Sequence, residues 1–226
     1  MLVKTEAIVL HTIKYGESRL IVDLFTREQG RLSCIVSVHG ARGKGLGAKK
    51  HGGRSPLFQP LSLIELECDV RPKANLQQIR DVRMLVPYAS LPYEPSKMAI
   101  SLFLAEFLYH ALRGEQQPDL QQFDYMKNSL LWLDAASDGY ANFHLVFLIH
   151  LSRFLGYYPL HQDFQNPEEA ALIQTMMEMD FDNMHQFRMS HANRNRCLDA
   201  MLAYYRRHLP SFPELKSLPV LKELFA

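Results

Sequence analysis

The apolar residues of this chain change period once, near Pro87, and that single change limits the folds open to it. Before Pro87 they recur every second residue in short runs bounded by turn formers, which is the signature of strands with alternating faces. Thr5 to Ile13 sets Ala7, Val9 and His11 on one face and Ile8 and Leu10 on the other. The turn Tyr15-Gly16-Glu17 precedes a second run in which Leu20, Val22 and Leu24 alternate with Ile21, Asp23 and Phe25. Gln29-Gly30 turns the chain again. Leu32 to Val38, Leu61 to Val70 and Leu76 to Leu85 then complete five short strands. Five strands followed by no further β pattern predict a small closed barrel of the OB type over residues 1–85.

After Pro87 the spacing becomes helical. Pro92 and Pro95 punctuate a linker, Pro95-Ser96 opens a helix over Lys97 to Arg113, and Gly114 stops it. Further helical periods cover Asp119 to Ala136, Phe143 to Leu155, Pro167 to Met179, Asn195 to His208 and Leu218 to Phe225. Residues 97–113 and 143–155 are apolar nearly all round, so they belong at the centre of a helical domain spanning 86–226. The fold class is therefore α+β, with a β-barrel followed by an all-helical domain.

Charge is distributed as unevenly as structure. Residues 1 to 83 carry fourteen Lys and Arg against eight Asp and Glu, and residues 84 to 226 carry eleven against sixteen, although the formal net charge is only +1. Between Gln29 and Ile64 stand Arg31, Arg42, Lys44, Lys49, Lys50 and Arg54 with no acid, and Gly40, Gly43, Gly45, Gly47, Gly52 and Gly53 lie among them. This segment joins the third and fourth strands, beside the strand-two and strand-three face that OB barrels use for oligonucleotides. A polyanion is the expected partner. If each of the six cations neutralises one phosphate of a single strand, log K should fall against log[salt] with a slope of about −4. Tyr15, in its turn, is the exposed aromatic for base stacking; Phe25 and Phe58 are expected in the core.

Other chemistries fit poorly. Gly43-Lys44-Gly45-Leu46-Gly47-Ala48 has the spelling of a dinucleotide turn, but Lys49-Lys50-His51-Gly52-Gly53 cannot start the helix such a turn needs. A phosphate-binding P-loop fails because Gly45 follows Lys44 where Ser or Thr is required, and Val38 stands where the first glycine should be. No two of the ten histidines are three or four residues apart, so helical metal pairs are not expected and structural roles are. Glu65, Glu67 and Asp69 alternate on one strand, which leaves open an enzyme acting on nucleic acid through a metal ion; a solvated strand face explains the same alternation. A third reading is a protein-interaction module whose basic loop binds an acidic partner. Cys34, Cys68 and Cys197 are too scattered for a disulfide framework and read as reduced core residues. Met98 to Leu112 is broken by Ser101, Glu106 and His110 and is too short for a membrane span. Met1 to Lys4 lead straight into a strand without a signal-peptide pattern, so a cytoplasmic protein without membrane contact is expected.

Several segments together resemble one known family. They are Glu6-Ala7-Ile8-Val9-Leu10, Tyr15-Gly16-Glu17-Ser18, Leu24-Phe25-Thr26, Gly30-Arg31-Leu32-Ser33, Gly40-Ala41-Arg42 and Leu57-Phe58-Gln59-Pro60-Leu61-Ser62-Leu63. In the helical half, Phe154-Leu155-Gly156-Tyr157-Tyr158-Pro159, Tyr204-Tyr205-Arg206-Arg207-His208-Leu209 and Lys216-Ser217-Leu218-Pro219-Val220-Leu221 agree. The chain resembles RecO, the bacterial recombination mediator, over nearly its whole length. The resemblance implies a non-enzymatic DNA repair and recombination protein associated with the nucleoid. Such a protein binds single- and double-stranded DNA, anneals complementary strands, recognises the acidic tail of single-stranded DNA-binding protein, and with RecR helps load RecA.

On that resemblance, Arg31, Arg42, Lys44, Lys49, Lys50 and Arg54, with Lys14, Tyr15 and Arg19 of the first hairpin, are the expected DNA-binding residues. The tail of single-stranded DNA-binding protein ends in an aromatic carboxylate, so its site should pair an apolar pocket with a cation; Arg153, Arg206, Arg207 and Lys216 are the candidates. One departure stands out. Many family members carry a four-cysteine zinc module after the Leu-Gly-Tyr-x-Pro segment, whereas here Leu160-His161-Gln162-Asp163-Phe164 follows and the one later cysteine is Cys197. No cofactor or metal is expected, and the segment from Phe181-Asp182 to Phe187 must be held by packing.

Overall fold

The computed structural model describes residues 1–37, 55–71, 74–114 and 117–224. Five strands come first: β1 (Leu2–Tyr15), β2 (Arg19–Thr26), β3 (Gly30–Ser37), β4 (Leu63–Asp69) and β5 (Gln77–Val86). Six helices follow: α1 (Pro95–Ala111), α2 (Leu120–Ala135), α3 (Phe143–Phe154), α4 (Pro167–Met177), α5 (His191–His208) and α6 (Leu218–Glu223). The expected order of elements is thus found, with ends shifted by a few residues. The largest shift is at α5, which starts at His191 because Ser190 accepts a hydrogen bond from the Asn193 N–H and so caps the helix earlier than its apolar period suggests. Contacts group the chain into two compact units, Met1–Pro87 with Leu112–Phe123, and Tyr88–Ala111 with Asp124–Ala226.

In the first unit the strands close in the order β1-β2-β3-β5-β4, the OB-type arrangement, with β4 returning to β1. Every pairing is antiparallel except β3 with β5, which meet in parallel at Cys34 with Gln77 and Ile35 with Gln78. β1 is long enough to serve two partners, and the register shift between Val9 and His11 bends it between them. The barrel interior is filled by alternate residues, among them Val9, Val22, Leu24, Cys34, Leu66 and Cys68. Ile8 and Phe25 alternate with these interior residues and are fully buried as well, Phe25 as the sequence leads one to expect. Phe25, the register partner of Ile8, stacks on Phe123 with ring centroids 6.4 Å apart, so that end of the barrel's outer face is covered as well.

The second unit is organised around α1 and α3, both buried along most of their circumference. Phe107 of α1 meets Tyr205 of α5 edge to face at 4.8 Å, and the Tyr205 hydroxyl donates to the Leu148 carbonyl at 2.7 Å. At the end of α2, Asp134 accepts from the backbone N–H groups of Ala89, Ser90 and Leu91 at 2.7 to 2.8 Å. Burial alone would raise this carboxyl, but the backbone donors outweigh it and hold it below the usual carboxylate range. Lys97, fully buried, sends its ammonium to the Ser90 hydroxyl at 2.6 Å and to the carbonyls of Asp134 and Ala136 at 3.2 and 2.5 Å. It therefore satisfies carbonyls that the end of α2 leaves open.

The segment after α4 is held by packing, as the sequence requires. Phe181 lies against Phe143 at 4.8 Å and Trp132 at 5.5 Å, and the Trp132 indole donates to Asp182 at 2.8 Å. Farther on, Asn142 donates to the Phe187 carbonyl at 2.8 Å and accepts from Arg194 at 3.0 Å. The three cysteines are buried free thiols.

Lys97→Met should keep the buried stem but strand the carbonyls it serves, lowering unfolding stability in urea by about 3 kcal/mol. Asp134→Asn should cost about 2 kcal/mol at neutral pH. Because the folded carboxyl titrates below its unfolded value, its contribution is lost as pH falls through the folded pKa, and the gap between wild type and Asp134→Asn should close on acidification.

Candidate nucleic-acid interface

The registers of β1, β2 and β3 arrange the outward residues of the barrel in rungs. Tyr15, Arg19 and Ser37 form one rung, Ile13, Ile21 and Ile35 the next, and His11, Asp23 and Ser33 a third. The polarity and exposure of these rungs change along the strands. Tyr15 is 55% and Ile13 47% exposed, whereas Asp23 is only 8% exposed. The open part of the face is thus the end near the β1–β2 turn, where Gly16 takes a left-handed φ of 66° that the tight turn demands.

The DNA-binding residues expected from the sequence fall into four groups. Tyr15 and Arg19 are direct register partners on the open face. Lys14, paired with Leu20, belongs to the opposite side of the sheet, because Leu20 points into the barrel core. Arg31 sits farther along β3, half-buried, in a cleft of about 560 Å³ that also takes in Arg71 and Arg113. Arg42, Lys44, Lys49, Lys50 and Arg54 lie outside the described residues. Phe25 and Phe58 are core residues, 0% and 2% exposed.

Sequence reading missed the isoleucine rung. Alternation shows that Ile13, Ile21 and Ile35 each lie outward on their own strands, but only the register aligns them into one apolar strip. The connection back into β4 is anchored near it. Thr12 donates to the Phe58 carbonyl at 2.9 Å, the Leu61 N–H donates to Val9 at 2.7 Å, and the Val9 N–H donates to Ser62 at 3.1 Å. Leu61 pays for this return with a left-handed φ of 63° and a fully buried side chain.

Two of the three β4 carboxylates, Glu65 and Asp69, are engaged by cations. Glu65 lies 2.9 Å from Lys4 and takes a two-pronged contact from Arg83 at 3.1 and 2.7 Å, and Asp69 lies 2.5 Å from Arg80. The Arg83 hydrogen bond, then that of Lys4, holds the Glu65 carboxyl below its ordinary value. A metal ion would have to displace these cations, and among the described residues no group of three or more His, Cys, Asp or Glu is placed to hold one. The third rung does not form a hydrolytic triad. Ser33 donates to Asp23, and His11 lies 3.8 Å from the same carboxylate, so the acid stands between hydroxyl and imidazole where the imidazole should stand. His144 is buried in α3, where desolvation first and Arg194 second push its imidazole down to about 3.

In the helical unit, Arg153 lies over the Tyr158 ring at 4.2 Å and donates to its hydroxyl at 2.6 Å. It lines a largely apolar groove of about 430 Å³ with Trp132, Phe154 and Phe181, and Asp180 lies in the same wall. Arg207 turns elsewhere, to the Asp163 carbonyl at 2.7 Å and over the Tyr204 ring at 5.4 Å. Arg206 and Lys216 are exposed; the Lys216 backbone N–H donates to Glu106 at 2.9 Å.

Both halves of the sequence match a known family. Residues 1–88 match the family description Recombination protein O N terminal, and residues 92–165 match Recombination protein O C terminal. The chain belongs to the RecO family. The chain is 47% identical to the DNA repair protein RecO of Phocaeicola vulgatus, with both chains covered completely. Its identity to the DNA repair protein RecO of Bacteroides fragilis is 44%, and to that of Flavobacterium psychrophilum 31%, again with complete coverage of both chains. Among the described residues no helix is long and apolar enough to cross a membrane.

If Tyr15 and Arg19 serve a ligand rather than the fold, Tyr15→Ala and Arg19→Ala should each change unfolding stability by less than about 0.5 kcal/mol. Phe25→Ala, which empties a packed site against Phe123, should cost about 3 to 5 kcal/mol. Urea denaturation of the three variants, with unchanged m-values, checks both expectations.

Proposed function

We propose that this protein acts in DNA repair and homologous recombination by binding single- and double-stranded DNA and bringing complementary strands together. The observation that carries the reading is the charge and placement of one segment. A RecO-family barrel joins β3 to β4 through a stretch containing five cations and no acid, and that stretch follows directly on Ser37, the β3 member of the Tyr15, Arg19, Ser37 rung. The printed names of the relatives, DNA repair protein RecO, agree with it.

The mechanism is charge neutralisation. Two single strands repel each other through their phosphates, and cations that hold both lower that repulsion while leaving base edges free to pair. Contacts to phosphate are weak one at a time and exchange readily, so pairing propagates along the strands. The protein then helps RecA load on DNA coated with single-stranded DNA-binding protein, in partnership with RecR, and works in the cytoplasm at the nucleoid. The groove beside Arg153 supports a docking role for the acidic tail of the coating protein. An aromatic carboxylate there would set its ring among Trp132, Phe154 and Phe181 and its charge against the guanidinium.

Annealing of complementary oligonucleotides across a salt series tests the reading. Replacing Lys44, Lys49, Lys50 and Arg54 together by Ala should slow annealing at low salt and shrink the slope of log K for single-strand binding from about −4 to about −1. Unchanged rates and an unchanged slope would remove the basic segment from the mechanism.

A further inference from the structure

A cleft of about 560 Å³ beside the β3–β5 seam draws its walls from three separate parts of the barrel unit. Arg31 of β3, Arg71 of the β4–β5 connection and Arg113, which follows α1 and belongs to the same compact unit, all line it. Among the described residues no Asp or Glu does. Its volume lies within the roughly 300–1,000 Å³ of pockets that enclose small ligands. The backbone that presents Arg71 is fastened in place. The buried Gln77 side chain accepts from the Arg71 N–H at 2.8 Å and donates to the carbonyls of Arg71 and Ala74 at 3.2 and 2.8 Å. Arg31 is carried by a strand, opposite Phe25 in the β2–β3 register. Two of the three guanidinium groups thus start from backbone that is already set, and less freedom is lost when an anion joins them. Leu32 and Val70 add apolar surface, and Gln29 and Asn75 add side-chain amides.

We propose that this cleft binds a compact polyphosphate, inorganic or carried by a nucleoside, through the guanidinium groups of Arg31, Arg71 and Arg113. The site goes beyond DNA binding. A strand spreads its phosphates along its length, one charge to each nucleotide, so a single concave space meets few of them. A polyphosphate gathers several charges in one small group, and the planar forks of arginine match its oxygens in pairs. The walls of the cleft strengthen the attraction by focusing the field of the three cations. Because Arg31 stands on β3 and Arg71 on the connection into β5, the bound anion also ties the two sides of the seam together.

Isothermal titration calorimetry of the full-length protein in magnesium-free, low-salt buffer tests this with inorganic triphosphate, adenosine triphosphate and orthophosphate. Inorganic triphosphate should bind more tightly than orthophosphate by about tenfold or more, and should raise the melting temperature. Arg71→Ala, at an exposed position, should weaken triphosphate about tenfold, the loss of one charge-assisted contact, and a labelled twelve-nucleotide DNA strand by less than about threefold. Arg188→Ala removes an equal charge from an exposed position of the helical unit and should leave triphosphate affinity unchanged. Equal affinity for the two triphosphates would support a site that reads phosphate alone, and tighter binding of the adenosine compound would support one that also holds the nucleoside. Wild type that binds triphosphate no more tightly than orthophosphate would overturn the inference, and needs no variant. An Arg188→Ala loss as large as that of Arg71→Ala would overturn it as well, by making the effect one of overall charge. So would an Arg71→Ala protein that loses the DNA strand as strongly as the triphosphate, because the cleft would then belong to the DNA site, and the DNA reading would stand.

Discussion

β1 is hydrogen-bonded along one edge to β2 and along the other to β4, and the barrel depends on that double use. A straight strand of fourteen residues serves two neighbours only if they lie in one plane, whereas five strands close only if the sheet curls. The shift between Val9 and His11 resolves the conflict by inserting Leu10 as an extra residue. Beyond the bulge, Val9 also exchanges hydrogen bonds with Leu61 and Ser62, so the chain entering β4 is fixed at the same point. The outward rungs of β1, β2 and β3 take their alignment from this geometry.

The helical unit is held by polar contacts of a different kind. Asp134 and Lys97 carry opposite charges, yet each is satisfied mainly by backbone groups: the carboxylate by N–H donors of 89–91, the ammonium by carbonyls at the end of α2. Backbone partners do not rotate away, so a buried charge with such partners fixes local geometry more firmly than an exposed ion pair would. Phe181 plays the apolar counterpart. It joins the segment after α4 to Phe143 and Trp132.

Most of the element order was legible in the sequence because period two and period 3.6 leave distinct marks on strands and helices. Thus the helical period from Pro167 announced α4, whose first turn Asn166 caps. The limits of legibility have physical causes. Phe25 reads as a core residue and is one, but its partner there, Phe123 of α2, comes from a part of the chain that strand alternation does not reach. Lys14, Tyr15 and Arg19 read as one cationic and aromatic patch, but strand alternation separates Lys14 from the other two. Ile13, Ile21 and Ile35 are far apart in the chain, and the strip they form is a property of register, which a sequence does not spell out. The polar face of β4 was visible as alternation and read as solvated, whereas the partners Arg80 and Arg83 that β5 brings to Asp69 and Glu65 were not.

The short seam between β3 and β5 has a thermodynamic consequence. A barrel closed by so few bonds at one place has its least protected amides there, and local opening at the seam costs less than unfolding the barrel as a whole. Anything that bridges Arg31 on one side to Arg71 on the other adds its binding free energy to closure and is itself weakened whenever the seam parts. Occupancy and closure are then two readings of one equilibrium, and the place where the barrel is weakest is the place where a ligand changes its stability most.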